Sequence, residues 1–247
     1  MKRTIADRLA MIAKFETISA VLILLIAGPG HRFGLIPTKF AVLMSLGALI
    51  LGAVALLCAI LALVLPTMRR RTAMLAGCVL ISGALTATLV SWVIKGASVP
   101  QIHDITTDVG NPPQFDILAG ARAGAANPDA YPGEAFAKQQ LEAYPDIQPL
   151  VVPGNDAARV LDAAEAAAVA QGWQAVVRQD GSQQIEATDV TFWYGYKDDI
   201  IIRVSQGNAG VIVDVRSKSR VGQSDLGTNA QRIRDYLATL KASLGVS

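Results

Sequence analysis

The sequence predicts an α+β protein: three N-terminal membrane helices followed by a two-layer domain in which antiparallel hairpins pack on helices. Three observations carry this reading. Phe40 to Leu65 holds no charged side chain over 26 residues, and Thr72 to Ile94 holds none over 23. As helices these runs reach roughly 39 and 34 Å, enough to cross a hydrocarbon core of about 30 Å. Beyond Lys95 the long apolar runs stop, and alternating strands, turn pairs and helix start signals take over.

Taken in order, the first span is the least regular. Thr17 to Gly28 joins Leu9 to Phe15 into a stretch of about twenty residues, interrupted by Lys14 and Glu16, which snorkel or pair near the interface. A signal peptide competes with it, because Lys2, Arg3 and Arg8 precede the apolar stretch. However, Gly28-Pro29-Gly30 is a poor cleavage site and two more spans follow. Spans at about 9–28, 40–65 and 72–94 define a membrane region, residues 1–95, ahead of an extracytoplasmic domain, residues 96–247. Arg69, Arg70 and Arg71 sit in the short loop between the second and third spans. Short basic loops stay in the cytoplasm, so the N-terminus with Lys2, Arg3, Arg8 and Lys14 is inside and the chain after Lys95 emerges on the far side. The turn from Gly28 to Lys39 then lies outside, with His31 and Arg32 as interfacial anchors.

Charge is polarised along the chain. Residues 1–95 carry ten Lys and Arg against two acids, whereas residues 96–247 carry twelve against eighteen. A basic membrane half suits an anionic cytoplasmic leaflet, and an acidic exposed half argues against nucleic acid or an anionic lipid surface as its bulk partner. Cys58 and Cys78 both fall inside spans, so no disulfide staples the exposed domain, and without CxxC or Cys/His clusters they read as small apolar packing residues. Ala48/Gly52, Ala73/Gly77 and Gly83/Ala87 place small residues four apart, a spacing that lets membrane helices approach closely.

From Gly96 to Gln148 the composition turns to Pro, Gly, Ala, Asn and Asp, and the stretch reads as loop with one short helix from about Glu134 to Tyr144. Leu150 to Val152 reads as a strand. Asn155 or Asp156 caps an Ala-rich helix closed by Gly172. Trp173–Gln179 and Ser182–Asp189 flank Asp180-Gly181, a hairpin turn pair, and a second hairpin joins Asp199–Ser205 to Gly210–Ser217 across Gly207-Asn208. Alternation sends Ile200, Ile202, Val204, Val211, Val213 and Val215 to the core, and Asp199, Arg203, Asp214 and Arg216 to a polar face where Asp199 is expected opposite Arg216. Thr228 with Gln231 has capping-box spacing and opens a last helix to about Ser243, whose Ile233, Leu237, Leu240 and Leu244 face the sheet.

Val213-Asp214-Val215-Arg216-Ser217, leading through Ser219-Arg220-Val221-Gly222-Gln223-Ser224-Asp225-Leu226-Gly227 to Asn229 and Arg232-Ile233, resembles the domain-of-unknown-function family 1499. Ile102-His103-Asp104-Ile105-Thr106-Thr107-Asp108, Asn111-Pro112-Pro113 and Tyr144-Pro145-Asp146-Ile147 are similar to its earlier landmarks, so the resemblance covers roughly residues 100 to 243. It implies a bacterial envelope protein, here in the plasma (inner) membrane with its domain in the periplasm. It implies no activity.

Three groups of residues are candidates for chemistry. The loop from Ser217 to Asn229 gathers Ser217, Ser219, Arg220, Ser224 and Asp225 beside a helix N-terminus, with Arg203 and Arg216 on the neighbouring polar face. This set binds a small anion, or serves as a capped connection whose arginines pair with Asp199 and Asp214. His103 beside Asp104 invites a hydrolase with a serine of the 217–224 loop, although no G-x-S-x-G elbow surrounds any of them. Phe192, Trp193, Tyr194 and Tyr196 line an apolar groove, rest at the membrane interface, or pack at the edge of the sheet. No nucleotide or zinc pattern occurs, no cofactor is implied, and a calcium set of Asp104, Asp108 and Asp116 lacks EF-hand spacing. The leading reading is a membrane-anchored binding or interaction module for an envelope protein or a small anionic or apolar ligand, with the hydrolase as the alternative.

Overall fold

The structure, a computed structural model, describes residues 4–65, 71–154 and 156–246. Lys2, Arg3, Arg69, Arg70 and Asn155 lie outside the described residues. The chain divides into two compact units, one of residues 1–95 with 192–195, the other of residues 96–191 with 196–247.

The first unit holds three helices, α1 (Ile5–Arg32), α2 (Thr38–Leu63) and α3 (Thr72–Ser98), each long and apolar enough to cross a membrane. α1 starts earlier than hydropathy predicts because Thr4 and Asp7 form a reciprocal capping box, the Thr4 hydroxyl accepting from Asp7 N and the Asp7 carboxylate from Thr4 N. It also ends later: Gly28-Pro29-Gly30 is not the expected turn but the penultimate part of the helix, and the chain reverses only at Phe33–Pro37, where Gly34 takes φ +73°. Pro29 brings no N–H to the helical ladder, a loss that membrane helices tolerate. Along α1 and α2 the fully buried positions are alanines, among them Ala10, Ala13, Ala20, Ala48, Ala55 and Ala59, so the two backbones approach closely. In α3 the buried residues are Leu75, Cys78 and Ser82, all in its first half.

Segment Phe192–Gly195 belongs to this unit by its contacts. The Tyr194 hydroxyl meets Ser45 Oγ at 2.6 Å, and its carbonyl accepts from His31 Nδ1 at 2.6 Å. Arg32 donates to Phe192 O at 2.7 Å. The Trp193 indole lies against Gly28, where any β-carbon would overlap it. The aromatic cluster is thus split: Phe192 is exposed, Trp193 and Tyr194 pack on helices, and Tyr196 returns to the second unit.

In the second unit β1 (Asp104–Thr106), β2 (Leu150–Val152), β3 (Gln174–Val177), β4 (Gln184–Val190), β5 (Lys197–Gly207) and β6 (Gly210–Ser219) form one antiparallel sheet in the order β1-β6-β5-β4-β3, with β2 also pairing with β6. Helices α4 (Glu134–Ala143), α5 (Ala157–Ala170) and α6 (Thr228–Leu244) complete it, α5 and α6 covering the apolar face. The alternation holds: Ile200, Ile202, Val204, Val211, Val213 and Val215 are buried with Leu161, Ala164, Ile233, Tyr236 and Leu240. Each such branched side chain contributes about 1.5–3 kcal/mol by leaving water.

Two local expectations are corrected. The β5–β6 turn is Asn208-Ala209 rather than Gly207-Asn208, which slides the register so that Asp199 faces Lys218, Arg203 faces Asp214 and Arg216 faces Ile201. Gly210 has φ +140° and presses on the Val152 carbonyl, so β2 requires a bare backbone there and pins the turn beside it. Likewise Thr228 does not cap α6. Gly227 holds the cap position, and the Asp225 carboxylate accepts from Gly227 N and Asn229 N, both at 2.8 Å. Asp225→Ala should therefore lower the unfolding free energy of the domain by about 1 kcal/mol. Thr228→Ala should leave it nearly unchanged, as read from denaturant melts of the detergent-solubilised chain followed by the fluorescence of Trp173, which stacks on Tyr236.

Candidate functional site

The polar face of the sheet is where sequence reasoning places the binding residues, and it is built in rows. Asp104 of β1, Lys218 of β6, Asp199 of β5 and Thr188 of β4 stand side by side across four strands; the next row runs Thr106, Arg216, Ile201, Glu186. Opposite charges on facing positions attract, and here solvent is excluded from them. Asp104, Asp199, Arg216, Lys218 and Glu186 are all buried.

Arg216 grips Asp104 with both arms of its guanidinium, Nε to Oδ1 at 2.9 Å and Nη2 to Oδ2 at 2.8 Å, while Lys218 Nζ reaches the same Oδ2 at 2.7 Å. Asp199 likewise receives two cations, Arg122 Nη1 at 2.6 Å and Arg220 through Nε and Nη2 at 2.8 Å each, and a fourth bond from the Thr188 hydroxyl. Each carboxylate thus faces more positive charge than it carries. The surplus donors turn to backbone carbonyls: Arg216 to Pro113 and Asp129, Lys218 to Ala130, Arg122 to Asn127, Arg220 to Ala121. Arg216 is further held between the rings of Phe115 and Tyr131, at 5.1 and 5.5 Å from their centroids.

Those carbonyls belong to the irregular segment from Thr107 to Gly133, whose regular structure is limited to a single 3₁₀ turn at Gly120–Arg122. Its amides are met by an acid: Glu186 accepts from Asp116 N at 2.7 Å, Ile117 N at 3.1 Å and Leu118 N at 2.7 Å. Phe115 and Leu118 pack on Ile201 below. A stretch without a ladder or helix of its own leaves donors and acceptors that must be paired somewhere, and the buried ionic side chains pair them. The polar face is therefore roofed, not open. Arg203, on its margin, pairs with Asp214 at 2.8 Å and Asp108 at 3.1 Å.

The loop after β6 closes on itself as well. Ser217 donates to Asn229 Oδ1 at 2.7 Å and accepts from Arg232; Ser219 accepts from Asn229 Nδ2 at 3.1 Å; Ser224 accepts from Leu226 N at 3.2 Å. The anion position at the start of α6 is taken by the chain's own Asp225, whose carboxyl burial pushes to a higher pKa than usual against the two amides it accepts. Arg232 joins this cluster to Asp189 and Asp198, each at 2.7 Å. The matching family lies over this same architecture: the sequence model described as protein of unknown function (DUF1499) matches residues 104–240. This chain belongs to the DUF1499 family. No curated protein and no solved structure matches it. The matched region opens on Asp104, the carboxylate shared by Arg216 and Lys218, and takes in the whole ionic network of the DUF1499 domain.

Among the described residues of this DUF1499 chain, the His103 imidazole makes no hydrogen bond to a serine hydroxyl of the 217–224 loop. His103 sets Nδ1 at 3.4 Å from the Gln223 carbonyl and its ring edge-on to Phe136 at 5.2 Å, while Asp104 faces the cations and each loop serine is engaged elsewhere. Nor do Asp104, Asp108 and Asp116 gather: among the described residues no group of three or more His, Cys, Asp or Glu is placed to hold a metal ion. Sequence reasoning missed Lys218, Arg122, Glu186 and Arg232. Strand parity puts Lys218 on the face of Asp214 and Arg216, and Glu186 alternates along β4 in the same way, so these two of the four were available from periodicity alone.

Breaking a buried pair from one side leaves uncompensated charge, so Asp104→Asn should cost about 3–5 kcal/mol. Asp146→Asn, which opens the exposed pair with Arg234, should cost under about 1 kcal/mol, both read from denaturant melts. Burial, aided by the Lys218 ammonium, holds the His103 imidazole below its ordinary pKa. The unfolded chain takes up a proton near pH 6.5 while the folded one does not, so stability falls as pH drops from about 6.5 toward the lowered value. His103→Phe, which keeps a ring against Phe136, should flatten that slope in unfolding midpoints measured at several pH values across this window.

Proposed function

We propose that this chain is a membrane-anchored interaction module of the bacterial envelope, whose domain lies outside the cytoplasm and presents the segment Thr107–Gly133 as a preformed recognition surface for a protein partner. One observation carries the reading: the Glu186 carboxylate takes three successive amides of that segment, fixing an irregular stretch from beneath. Long segments without regular structure in a compact domain are mostly functional, and one ordered in advance avoids the entropy cost of ordering on contact. Among its exposed residues Asn111, Gln114, Ile117, Ala121, Ala123 and Ala126 are small or uncharged, Asp116 and Asp129 are acidic, and its one cation, Arg122, is buried, which suits a protein surface better than an anionic polymer. Sidedness follows from the basic loop at Arg69–Arg71 and the basic N-terminal residues, which favour the cytoplasm. The internal pairing of the loop serines, Arg216 and Arg220 supports a scaffold in preference to a catalyst.

A photo-crosslinking side chain at Gln114 in the full chain, expressed in its membrane, should give a discrete protein adduct. Glu186→Gln, which weakens the hold on the segment, should reduce that adduct while a phosphatase fused behind the C-terminus stays active on the outside. An adduct of equal yield from a probe at Val169, on the opposite side of the sheet, or a phosphatase active only in the cytosol would overturn the proposal.

A further inference from the structure

A cavity of about 320 Å³ opens in the membrane-helix unit, walled by Val21, Leu24 and Leu25 of α1, by Ala84, Leu85 and Leu89 of α3, and by the Trp193 indole. Its volume sits at the low end of small-molecule sites. Three features make it more than a gap between helices. The fully buried residues of α3 end at Ser82, and beyond it Ala84 is exposed while Leu85 and Leu89 are only partly covered, so the space toward α1 is left unfilled there. The third wall is fixed: Trp193 fits against α1 only because position 28 is glycine, and the residue after it, Tyr194, is bonded to Ser45 and His31. Finally, the lining is almost wholly aliphatic or aromatic and lies within helices long and apolar enough to span a membrane, where the surrounding medium is hydrocarbon.

We propose that this groove is a binding site for one acyl chain of a bilayer phospholipid, which completes the packing of α1 against α3 along the Trp193 wall. Thr88 is the one hydroxyl among the lining residues, too few polar groups to hold water, and a polar ligand would leave most of its hydrogen-bonding groups unmet there. A flexible hydrocarbon chain gains dispersion contacts on three sides, where the flat outer face of a lone helix offers one. This inference stands apart from the recognition surface proposed for the other unit, since it concerns different residues.

The chain has three tryptophans, so Trp92→Phe with Trp173→Phe leaves Trp193 as the sole emitter. Reconstituted in vesicles of phosphatidylcholine carrying bromine on one acyl chain, this variant should show strong quenching of Trp193. Adding Ala84→Phe, which fills the groove from a position exposed on α3, should abolish most of that quenching; Leu57→Phe, on the lipid-facing side of α2, should not. In parallel, mass spectrometry of the wild-type chain released gently from detergent should show one retained phospholipid that the Ala84→Phe chain lacks, a reading that needs neither tryptophan substitution. Equal quenching with and without Ala84→Phe, meaning annular lipid contact only, or retained lipid that is indifferent to Ala84→Phe, would overturn the site.

Discussion

The pair of Arg216 and Asp104 is the constraint on which the DUF1499 domain rests. Neither side chain reaches solvent, so each charge is tolerable only because the other is present in bidentate geometry and the remaining donors find oxygen. Asp104 comes from a strand of three residues, too short to hold its own place by ladder bonds alone. Its carboxylate fastens that strand to β6 from the side-chain direction, and Arg216 then reaches past it to the carbonyls of Pro113 and Asp129. One guanidinium therefore ties together the sheet, its first strand and the segment laid over both.

This arrangement inverts the usual division between an apolar core and a polar surface. The helix-covered side of the sheet is an ordinary hydrophobic core of isoleucine, valine and leucine. The other side is a second interior made of charges, with Phe115 and Leu118 its main apolar contribution. Such an interior gives little net stability compared with well-packed aliphatic groups, and its value is geometric: hydrogen bonds of fixed direction specify one conformation of the covering segment, which apolar contact alone would leave degenerate.

How much of this was legible follows from the range of each interaction. The β5–β6 hairpin could be read from alternation because its determinants lie within twenty residues, and both faces came out correctly even though the turn was placed one residue early. The error arose because Gly210 answers to the Val152 carbonyl, a contact from a different strand. The start of α6 was misplaced for a related reason: Thr228 satisfies a local rule, but Asp225, three residues earlier, satisfies the amides. The roof over the polar face was not legible at all. Glu186 and the amides it accepts are about seventy residues apart, Lys218 and Asp104 more than a hundred, and no periodicity encodes such a meeting. The membrane helices are visible as hydropathy but not as packing, and the aromatic run at 192–196 leaves three placements open, of which contact with the helices holds for residues 192–195.

The margins of the sheet carry a last consequence. β6 is a ten-residue strand rich in valine, and a bare flank on it would be a template for strand addition by a neighbouring chain. Instead its outer flank is shared by two three-residue pieces, β2 over Val211–Val213 and β1 over Arg216–Lys218. The opposite margin, β3, has four residues, an irregular register and Ala175 at φ +48°. Neither end offers a run long or straight enough to be extended, so copies concentrated in the plane of a membrane can collide without zipping into a continuous ribbon.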